Sequence, residues 1–297
     1  MAERRIAVVT GASSGIGKAV AKALVARGWH VIGQGRDPER TRAAATEIRA
    51  AAAPGAKLDM VRGDLAWMAD TARMAAEIAG LSDKIHVLVN NAGGVRAELV
   101  ITPEGNEATF AGNHLGHFLL SNRLMPQLKA AAAGSERGTV RILAVSSNGH
   151  EGCPGIDGDD LQLTREWNTG KSYCLAKLCN ILFTRELARR LAGDGIVAHA
   201  LHPGVVSSNF VTHAQPGMRA YIETLESFPP EVAADTLVWL ATAAEAGQSS
   251  GGYYHGREQI SPSPAALDEA AAARLWAESE QLIARAGIRE TSGGFSI

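Results

Sequence analysis

The 297-residue sequence has little of several features that define whole classes of protein. Its three cysteines, Cys153, Cys174 and Cys179, are too few and too odd in number for a disulfide framework, which indicates a reduced, cytoplasmic protein. No stretch reaches the roughly 18 apolar residues that a membrane-spanning helix needs. With a formal net charge of −2, the chain lacks the excess of positive charge that binds nucleic acid or an anionic membrane, so we expect neither as a partner. The first residues lead straight into a predicted strand, without a signal-peptide pattern.

What the sequence does contain is a regular alternation of short apolar runs and helical patterns. The apolar runs predict strands at 6–10, 30–34, 58–62, 85–89, 139–146, 196–201 and 252–255. Helical patterns lie between them at 18–27, 43–53, 70–79, 107–133, 172–191 and 231–243. The pattern at 107–133 predicts one unbroken helix. The alternation predicts an α/β fold: a single domain with a Rossmann-type, doubly wound parallel sheet and helices on both faces.

A glycine-rich segment follows the first predicted strand and precedes the first predicted helix. Gly11, Gly15 and Gly17 permit a tight turn and let the backbone approach a diphosphate lying over the helix N-terminus. Ordinary glycine-rich loops are common, but the strand before and the helix after are the context that a dinucleotide-binding fingerprint requires. The segment therefore predicts a dinucleotide site.

A tyrosine and a lysine stand one helical turn apart in the predicted helix that begins near Ser172. Tyr173 and Lys177 therefore project from the same helix face. Because an ammonium favours the phenolate, we expect Lys177 to lower the pKa of Tyr173 from its ordinary value of about 10. Such a phenol can exchange a proton with an alcohol oxygen. The same spacing also arises by chance on solvated helices, so the pair needs support from other motifs.

That support comes from motifs that occur in a fixed order along the chain. They lie at 10–17, 90–93, 146–147, 173–177 and 203–204. Together they resemble the short-chain dehydrogenase/reductase family over about residues 5–256. The resemblance implies an NAD(P)(H)-dependent oxidoreductase that interconverts a ketone or aldehyde and an alcohol by hydride transfer.

Finer features are similar to the retinol dehydrogenase-like branch of that family. They are the segments 113–118, 181–188 and 202–204, the wide interval between Ser147 and Tyr173, and the pair Leu275 and Trp276. Animal members of the branch often carry an N-terminal membrane anchor that this sequence does not show. Membrane retinoids are therefore not the expected substrates.

The resemblance assigns roles to four catalytic residues. Tyr173 protonates the carbonyl oxygen or deprotonates the alcohol, and Lys177 lowers its pKa and holds the nicotinamide ribose. Ser147 donates a hydrogen bond to the same substrate oxygen, with Ser146 as the rival for that role. Asn113 connects Lys177 to solvent through water. Each residue alone has an ordinary explanation as a turn, helix or surface residue.

The resemblance also implies which residues hold the cofactor. Asp64 and Leu65 flank the adenine, Ala92 and Gly93 lie against the adenosine ribose, and Asn90 holds the loop after the fourth strand. Asp64 has an alternative reading as a loop cap. The full expected set is Gly11, Ser13, Ser14, Gly15, Ile16, Gly17, Arg36, Asp64, Leu65, Asn91, Ala92, Gly93, Tyr173, Lys177, Pro203, Gly204 and Val206.

The end of the second strand predicts NADP(H) rather than NAD(H). An enzyme that selects NAD places a carboxylate there, to accept hydrogen bonds from the ribose 2′-hydroxyl. In the family register this position is Gly35, and Arg36 follows with a guanidinium suited to a 2′-phosphate. Asp37 precedes Pro38 and is the expected N-cap of the next helix, rather than a ribose ligand.

We expect residues 1–260 to form the dinucleotide-binding catalytic part, with substrate loops at 149–170 and 205–230. Residues 261–290 are expected to be a helical extension of the same domain, and 291–297 a disordered tail. The second loop is apolar and predicts a moderately apolar substrate, although the same side chains also suit plain packing: Val205, Val206, Phe210, Met218, Tyr221, Ile222 and Leu225. The first loop is acidic: Asp157, Asp159 and Asp160.

Two other functions remain compatible with the sequence. A protochlorophyllide reductase-like C=C reductase shares the segment 113–118 and a cysteine like Cys179. A non-catalytic dinucleotide-binding regulator is the other alternative, although such proteins typically lose the tyrosine or the lysine. The paired histidines at 114 and 117 and at 199 and 202 lack a third ligand, so we expect no metal. Monomer and homo-oligomer are both compatible with the sequence.

Overall fold

A computed structural model describes residues 4–207 and 214–288. Eight strands in the described chain form one sheet, in the order β3-β2-β1-β4-β5-β6-β7-β8. They are β1 (Ile6–Val9), β2 (His30–Gly35), β3 (Lys57–Arg62), β4 (Val87–Asn90), β5 (Val140–Val145), β6 (Ile196–Leu201), β7 (Tyr253–His255) and β8 (Glu258–Ile260). The pairs from β3 to β7 are parallel and β7–β8 is antiparallel. The predicted doubly wound sheet is confirmed; β8 was not predicted.

Helices cover both faces of the sheet. Within the described residues they are α1 (Gly15–Val25), α2 (Pro38–Ala50), α3 (Met68–Leu81), α4 (Ala108–Phe110), α5 (Gly116–Arg123), α6 (Met125–Ala132), α7 (Thr169–Arg190), α8 (Pro216–Glu223), α9 (Pro230–Thr242) and α10 (Glu269–Arg285). In β1, Ala7 and Val9 pack with α1, α2 and α9, whereas Val8 packs with α3, α5, α6 and α7. This alternation follows from the two-residue period of a strand.

The predicted continuous helix at 107–133 is wrong in detail. The chain there forms α4, then a π-helical turn at Ala111–Leu115, then α5 and α6. The Asn113 side chain donates to the Thr109 carbonyl at 2.8 Å, which is the acceptor that an α-helix provides for the backbone N–H of residue 113. A side chain inserted into the hydrogen-bond ladder in this way locally disrupts a helix. Leu124 separates α5 from α6, whose first turn contains Pro126.

The α10 helix packs across the outer face of α7 and the adjoining part of α5. The indole of Trp276 lies 4.8 Å from the Phe118 ring centroid and 5.8 Å from that of Phe183. The Arg190 guanidinium covers the indole at 4.1 Å. Across residues 4–207 and 214–288, no helix is long and apolar enough to cross a membrane. The predicted tail at 291–297 lies outside the described residues.

Candidate active site

A cavity of about 590 Å³ lies at the carboxyl ends of the parallel strands, where an α/β sheet of this kind binds its ligands. It is lined from both sides of the β1–β4 boundary, because the sheet order reverses there. All predicted site residues line it except Gly17. Residues separated by almost 200 positions in sequence thus border one space.

The glycine-rich turn is held in the conformation that its glycines permit. Gly11 and Gly15 have φ values of 69° and 51°, in the left-handed region that disfavours other residues. Gly17 has a packing role instead: a Cβ there would lie 2.4 Å from the Gly11 carbonyl oxygen. Gly17 does not line the cavity, and its place beside the cofactor stays a prediction. Gln34 fixes the turn, because its Oε1 accepts from the Gly11 N–H at 3.0 Å and its Nε2 donates to the Gly63 carbonyl at 2.7 Å.

The start of α1 fits a diphosphate. Ser14 stands at the N-cap with an extended backbone, yet its side chain makes no capping hydrogen bond to the helix. Amides in the first turn of a helix lack intrahelical partners and carry a partial positive charge. No acidic side chain lies in this first turn. A bound anion would satisfy these amides where the serine does not.

Thr10 and Asn91 lock the turn to the loop after β4. The Thr10 hydroxyl accepts from the backbone N–H groups of Asn91 and Ala92, both at 2.9 Å. The Asn91 side chain donates to the Thr10 carbonyl at 2.8 Å. Asn90, which we expected to hold this loop, instead donates from Nδ2 to the Ser121 hydroxyl of α5 at 3.0 Å. The loop is therefore held by Asn91.

His117 extends this network to the π-helical turn. Its Nε2 lies 2.9 Å from the Thr10 hydroxyl and its Nδ1 lies 3.0 Å from the Asn113 carbonyl oxygen. Burial lowers the pKa of His117 to about 4, so the ring is neutral at physiological pH. A neutral ring that donates from Nδ1 to a carbonyl accepts the Thr10 hydroxyl at Nε2. One histidine thus connects the end of β1 to Asn113.

Tyr173 and Lys177 project from the same face of α7 into the cavity wall. The Lys177 ammonium lies 5.6 Å from the Tyr173 ring centroid and donates to the Val145 carbonyl at 3.0 Å. Burial lowers the pKa of Lys177 to about 8. Burial also raises the pKa of Tyr173 to about 12, and a hydrogen bond with Ser147 acts in the opposite direction. The expected lowering of the tyrosine pKa is therefore wrong for the protein alone, because desolvation of the phenolate dominates.

The two serines after β5 make different contacts. The Ser146 hydroxyl is buried and donates to the Lys177 carbonyl at 2.7 Å, which ties the strand to α7. Ser147 hydrogen-bonds with Tyr173, and its hydroxyl accepts from the Gly149 N–H at 3.1 Å. Ser147 is thus the serine whose hydroxyl adjoins the tyrosine.

Asn113 meets the loop after β4 through its side-chain amide. Its Oδ1 accepts from the Gly94 N–H at 3.1 Å and its Nδ2 donates to the Gly94 carbonyl at 2.9 Å. A Cβ on Gly93 would lie 2.5 Å from Asn113 Oδ1 and 3.4 Å from Lys177 Nζ. Asn113 and Lys177 therefore border the same glycine.

The end of β2 leaves no room for a carboxylate. A Cβ on Gly35 would lie 2.3 Å from the Thr41 hydroxyl. Arg36 borders the cavity, with its Nη1 3.4 Å from Asp64 Oδ2. Asp37 caps α2 as predicted, because its carboxylate accepts from the Arg40 N–H at 2.8 Å. Arg40 also lines the cavity but was not predicted; its place in the first turn of α2, the helix that follows β2, was the signal that could have identified it.

Asp64 caps its loop, which was the alternative reading, and its place beside the adenine stays a prediction. Its Oδ1 accepts from the Ala66 N–H at 3.0 Å, which caps the loop, while its Oδ2 pairs with Arg36. It also lines the cavity, as does Leu65.

The far end of the cavity, beside Tyr173, has mainly apolar walls. Five predicted wall residues line it: Val205, Val206, Tyr221, Ile222 and Leu225. Phe210 and the side chain of Met218 lie outside the described part of the chain. The aspartates of the 149–170 segment do not line the cavity, which corrects the mixed polarity expected there; Asp157 and Asp160 instead accept hydrogen bonds from backbone N–H groups of their own loop. Val95, Arg96, Cys174 and His202 also line this end and were not predicted.

Comparisons with known proteins agree with this arrangement. Residues 5–158 match the family model described as short chain dehydrogenase. Human retinol dehydrogenase 13 is 40% identical over 284 residues, covering 93% of this chain and 83% of the relative. The Pseudomonas aeruginosa RhlG/NADP active-site complex has a TM-score of 0.67 and 25% identity, covering 84% of this chain and 93% of that chain. The 3-ketoacyl-(acyl-carrier-protein) reductase from Brucella melitensis complexed with NADH has a TM-score of 0.65 and 25% identity, covering 84% and 96%.

Proposed function

Because the chain belongs to the short-chain dehydrogenase family, in its retinol dehydrogenase-like branch, we propose that it is an NADPH-dependent reductase of moderately apolar ketones or aldehydes. Family membership makes the chain an NAD(P)-dependent oxidoreductase of alcohols and carbonyls. The observation that carries the proposal is that Tyr173, Ser147 and Lys177 border the same cavity as the glycine-rich turn.

A nicotinamide dinucleotide, when bound, supplies the hydride. The start of α1, the turn at Gly15 and the loop at Ala92 would hold it. Tyr173 keeps a proton at its phenol oxygen and delivers it to the substrate oxygen. Ser147 donates a hydrogen bond to that oxygen as negative charge develops there. Asn113, beside Lys177, completes the route by which a water restores the proton.

Preference for the 2′-phosphate of NADP(H) is supported by the charges at the end of β2. The Arg36 and Arg40 side chains both border the cavity; of the two acids there, Asp37 is occupied as a helix cap and Asp64 pairs with Arg36 at 3.4 Å. A guanidinium offers five N–H donors in a planar fork, so Arg36 can contact a phosphate as well as Asp64.

A moderately apolar substrate is supported by the walls beside Tyr173. Val206, Ile222 and Leu225 present aliphatic surface to the cavity, and Tyr221 at the mouth is 65% exposed. Carboxylates are absent from this end of the cavity among the described residues that line it. A medium-chain or cyclic carbonyl compound suits these walls.

The alternative reading as a C=C reductase finds no support at Cys179. This thiol is fully buried within α7 and does not line the cavity, so it has no path to a substrate atom. A non-catalytic role is disfavoured because the tyrosine, lysine, serine and asparagine all border one space.

The test is an assay of the purified protein with NADPH or NADH and medium-chain or cyclic aldehydes and ketones, including an α,β-unsaturated ketone. We expect loss of the reduced-nicotinamide absorbance with NADPH, at a higher kcat/KM than with NADH. Product analysis should show an allylic alcohol with the double bond intact. Saturation of the C=C bond, preference for NADH, or no oxidation of cofactor across the panel would each contradict the proposal.

A further inference from the structure

A buried carboxylate outside the catalytic set joins the two helical segments that carry Asn113 and Tyr173. Glu107 is fully buried. Its Oε1 accepts from the Thr109 N–H at 3.0 Å and from the Trp167 indole N–H at 3.2 Å. Its Oε2 accepts from the Phe110 N–H at 2.7 Å and from the Ser172 hydroxyl at 3.0 Å. A carboxylate has about four lone-pair sites, so these contacts use its whole capacity.

The four donors come from two separate parts of the chain. Two are the first amides of α4, which leads directly into the π-helical turn around Asn113. The other two belong to the segment that enters α7, where Ser172 immediately precedes Tyr173. Glu107 therefore fastens the start of α7 to the start of the helical run that bears Asn113.

Neighbouring contacts reinforce the same junction. The Glu107 N–H donates to Gln162 Oε1 at 2.6 Å, and Gln162 Nε2 donates to Asn106 Oδ1 at 3.3 Å. The Thr169 hydroxyl donates to the Arg96 carbonyl at 3.0 Å. The loop that precedes α7 is thus held at several points beside Glu107.

We propose that Glu107 is a positioning residue that sets where Tyr173 stands relative to Asn113 and Lys177. Proton transfer needs reacting atoms within hydrogen-bond reach, so a shift of the α7 N-terminus slows it. Glutamine at 107 keeps the side-chain shape but turns an NH₂ group toward N–H donors, which weakens the junction. This role rests on the proposed carbonyl–alcohol reaction.

The test compares Glu107→Gln with Glu186→Gln. Glu186 is also buried and lies on α7, thirteen residues beyond Tyr173, where its carboxylate accepts from Arg189 and Arg190. Both variants should lower Tm. Only Glu107→Gln should lower kcat, by about tenfold to a hundredfold, the scale expected for a displaced catalytic group. NADPH affinity should change less than about twofold in both, because neither carboxylate lines the cavity. Equal losses of kcat in the two variants would show that Glu107 has only a structural role.

Two further measurements test the positioning role of Glu107. The first of them does not depend on the proposed reaction. Amide hydrogen exchange in 169–175 should accelerate in Glu107→Gln and stay unchanged in Glu186→Gln, whether or not a substrate has been found. Ser172→Ala should lower kcat in the parent protein but add little in the Glu107→Gln background, since both changes remove the same contact. Unchanged exchange in 169–175 would overturn the positioning role, even if the carbonyl panel were reduced as proposed.

Discussion

Tyr173 and Lys177 are both protonated at neutral pH in the protein without cofactor, because burial raises the pKa of the phenol to about 12 and leaves that of the ammonium at about 8. A protonated phenol is the form that reduction requires, since the phenol then gives its proton to a carbonyl oxygen. The hydrogen bond with Ser147 opposes the rise of the Tyr173 pKa, and the Lys177 ammonium lies 5.6 Å from the centre of the ring. The pair therefore favours proton donation over proton removal.

Removal of the phenolic hydroxyl tests this role directly. Tyr173→Phe keeps the ring but removes the proton, so we expect kcat to fall by about a hundredfold to ten-thousandfold. NADPH binding and Tm should be nearly unchanged. Tyr254→Phe is the matched control, because Tyr254 is a buried residue of β7 and does not line the cavity. Substantial residual activity in Tyr173→Phe would exclude it as the proton donor.

Arg36 decides the cofactor preference in our proposal. Arg36→Ala should weaken NADP(H) binding by about 1.5–3 kcal/mol, the scale of a charged hydrogen bond, and leave NAD(H) binding nearly unchanged. Fluorescence titration with both cofactors measures this. Arg49→Ala, at the other end of α2 and outside the cavity, should change neither affinity. Equal losses for the two cofactors would show that Arg36 does not contact the 2′-phosphate.

At the scale of elements, the start of α1 offers a test with a control just beyond the other end of the helix. Gly15 is the first residue of α1 and lines the cavity with φ 51°, whereas Gly28 follows the helix with φ 81°, and a Cβ added there would meet no atom within 4 Å. Valine strains the backbone at both positions. Only Gly15→Val should abolish NADPH binding, because it displaces amide contacts that contribute about 1.5–3 kcal/mol each to holding a charged ligand.

Calorimetric titration of both variants checks this expectation. Gly28→Val should lower Tm but keep its affinity for NADPH. If Gly15→Val also kept that affinity, the turn would be a structural feature only.

Strands and most helices could be predicted because their signals are local. The apolar run at β1 and the cap at Asp37 depend on a few neighbouring residues, and both appear where expected. The break around Asn113 could not be predicted in this way. The Asn113 side chain that inserts into the helix at the Thr109 carbonyl also hydrogen-bonds with Gly94, nineteen residues away in sequence, and such a contact leaves no periodic pattern.

The candidate site likewise has a part that could be predicted from the sequence and a part that could not. Motif order predicted which side chains meet at the carboxyl edge of the sheet, since parallel strands all end there. Glu107 and His117 were not predicted as site residues, because a charged or polar residue in a helical pattern usually lies on the solvent-exposed face of the helix. Their burial follows from tertiary packing of α4 and α5 against α7 and β1.

The whole molecule should lose stability in mild acid through its buried histidines. Burial lowers the pKa of His114 to about 3 and that of His117 to about 4, below the ordinary value of about 6.5 that the unfolded chain has. Below that value the unfolded state binds more protons, so stability is present above about pH 6.5 and declines as the pH falls toward 4. Each histidine adds up to about 1.4 kcal/mol per pH unit to this slope.

Urea unfolding at pH 7, 6 and 5 measures that slope. The double variant His114→Gln, His117→Gln should start less stable at pH 7, because it disturbs the contacts to Ser279 and Thr10. Its stability should then fall less steeply with pH than that of the parent protein. Identical slopes would mean that folding leaves the pKa values of the two rings unchanged.

The position of α10 in the chain has a consequence for synthesis on the ribosome. Trp276 covers Phe118 and Phe183, yet it is translated after every strand of the sheet. Until it emerges, the nascent chain presents an aromatic surface on the helix that carries Tyr173. Chaperones that hold exposed apolar segments therefore have access to that surface, and the helix that carries Tyr173 is covered only late in translation.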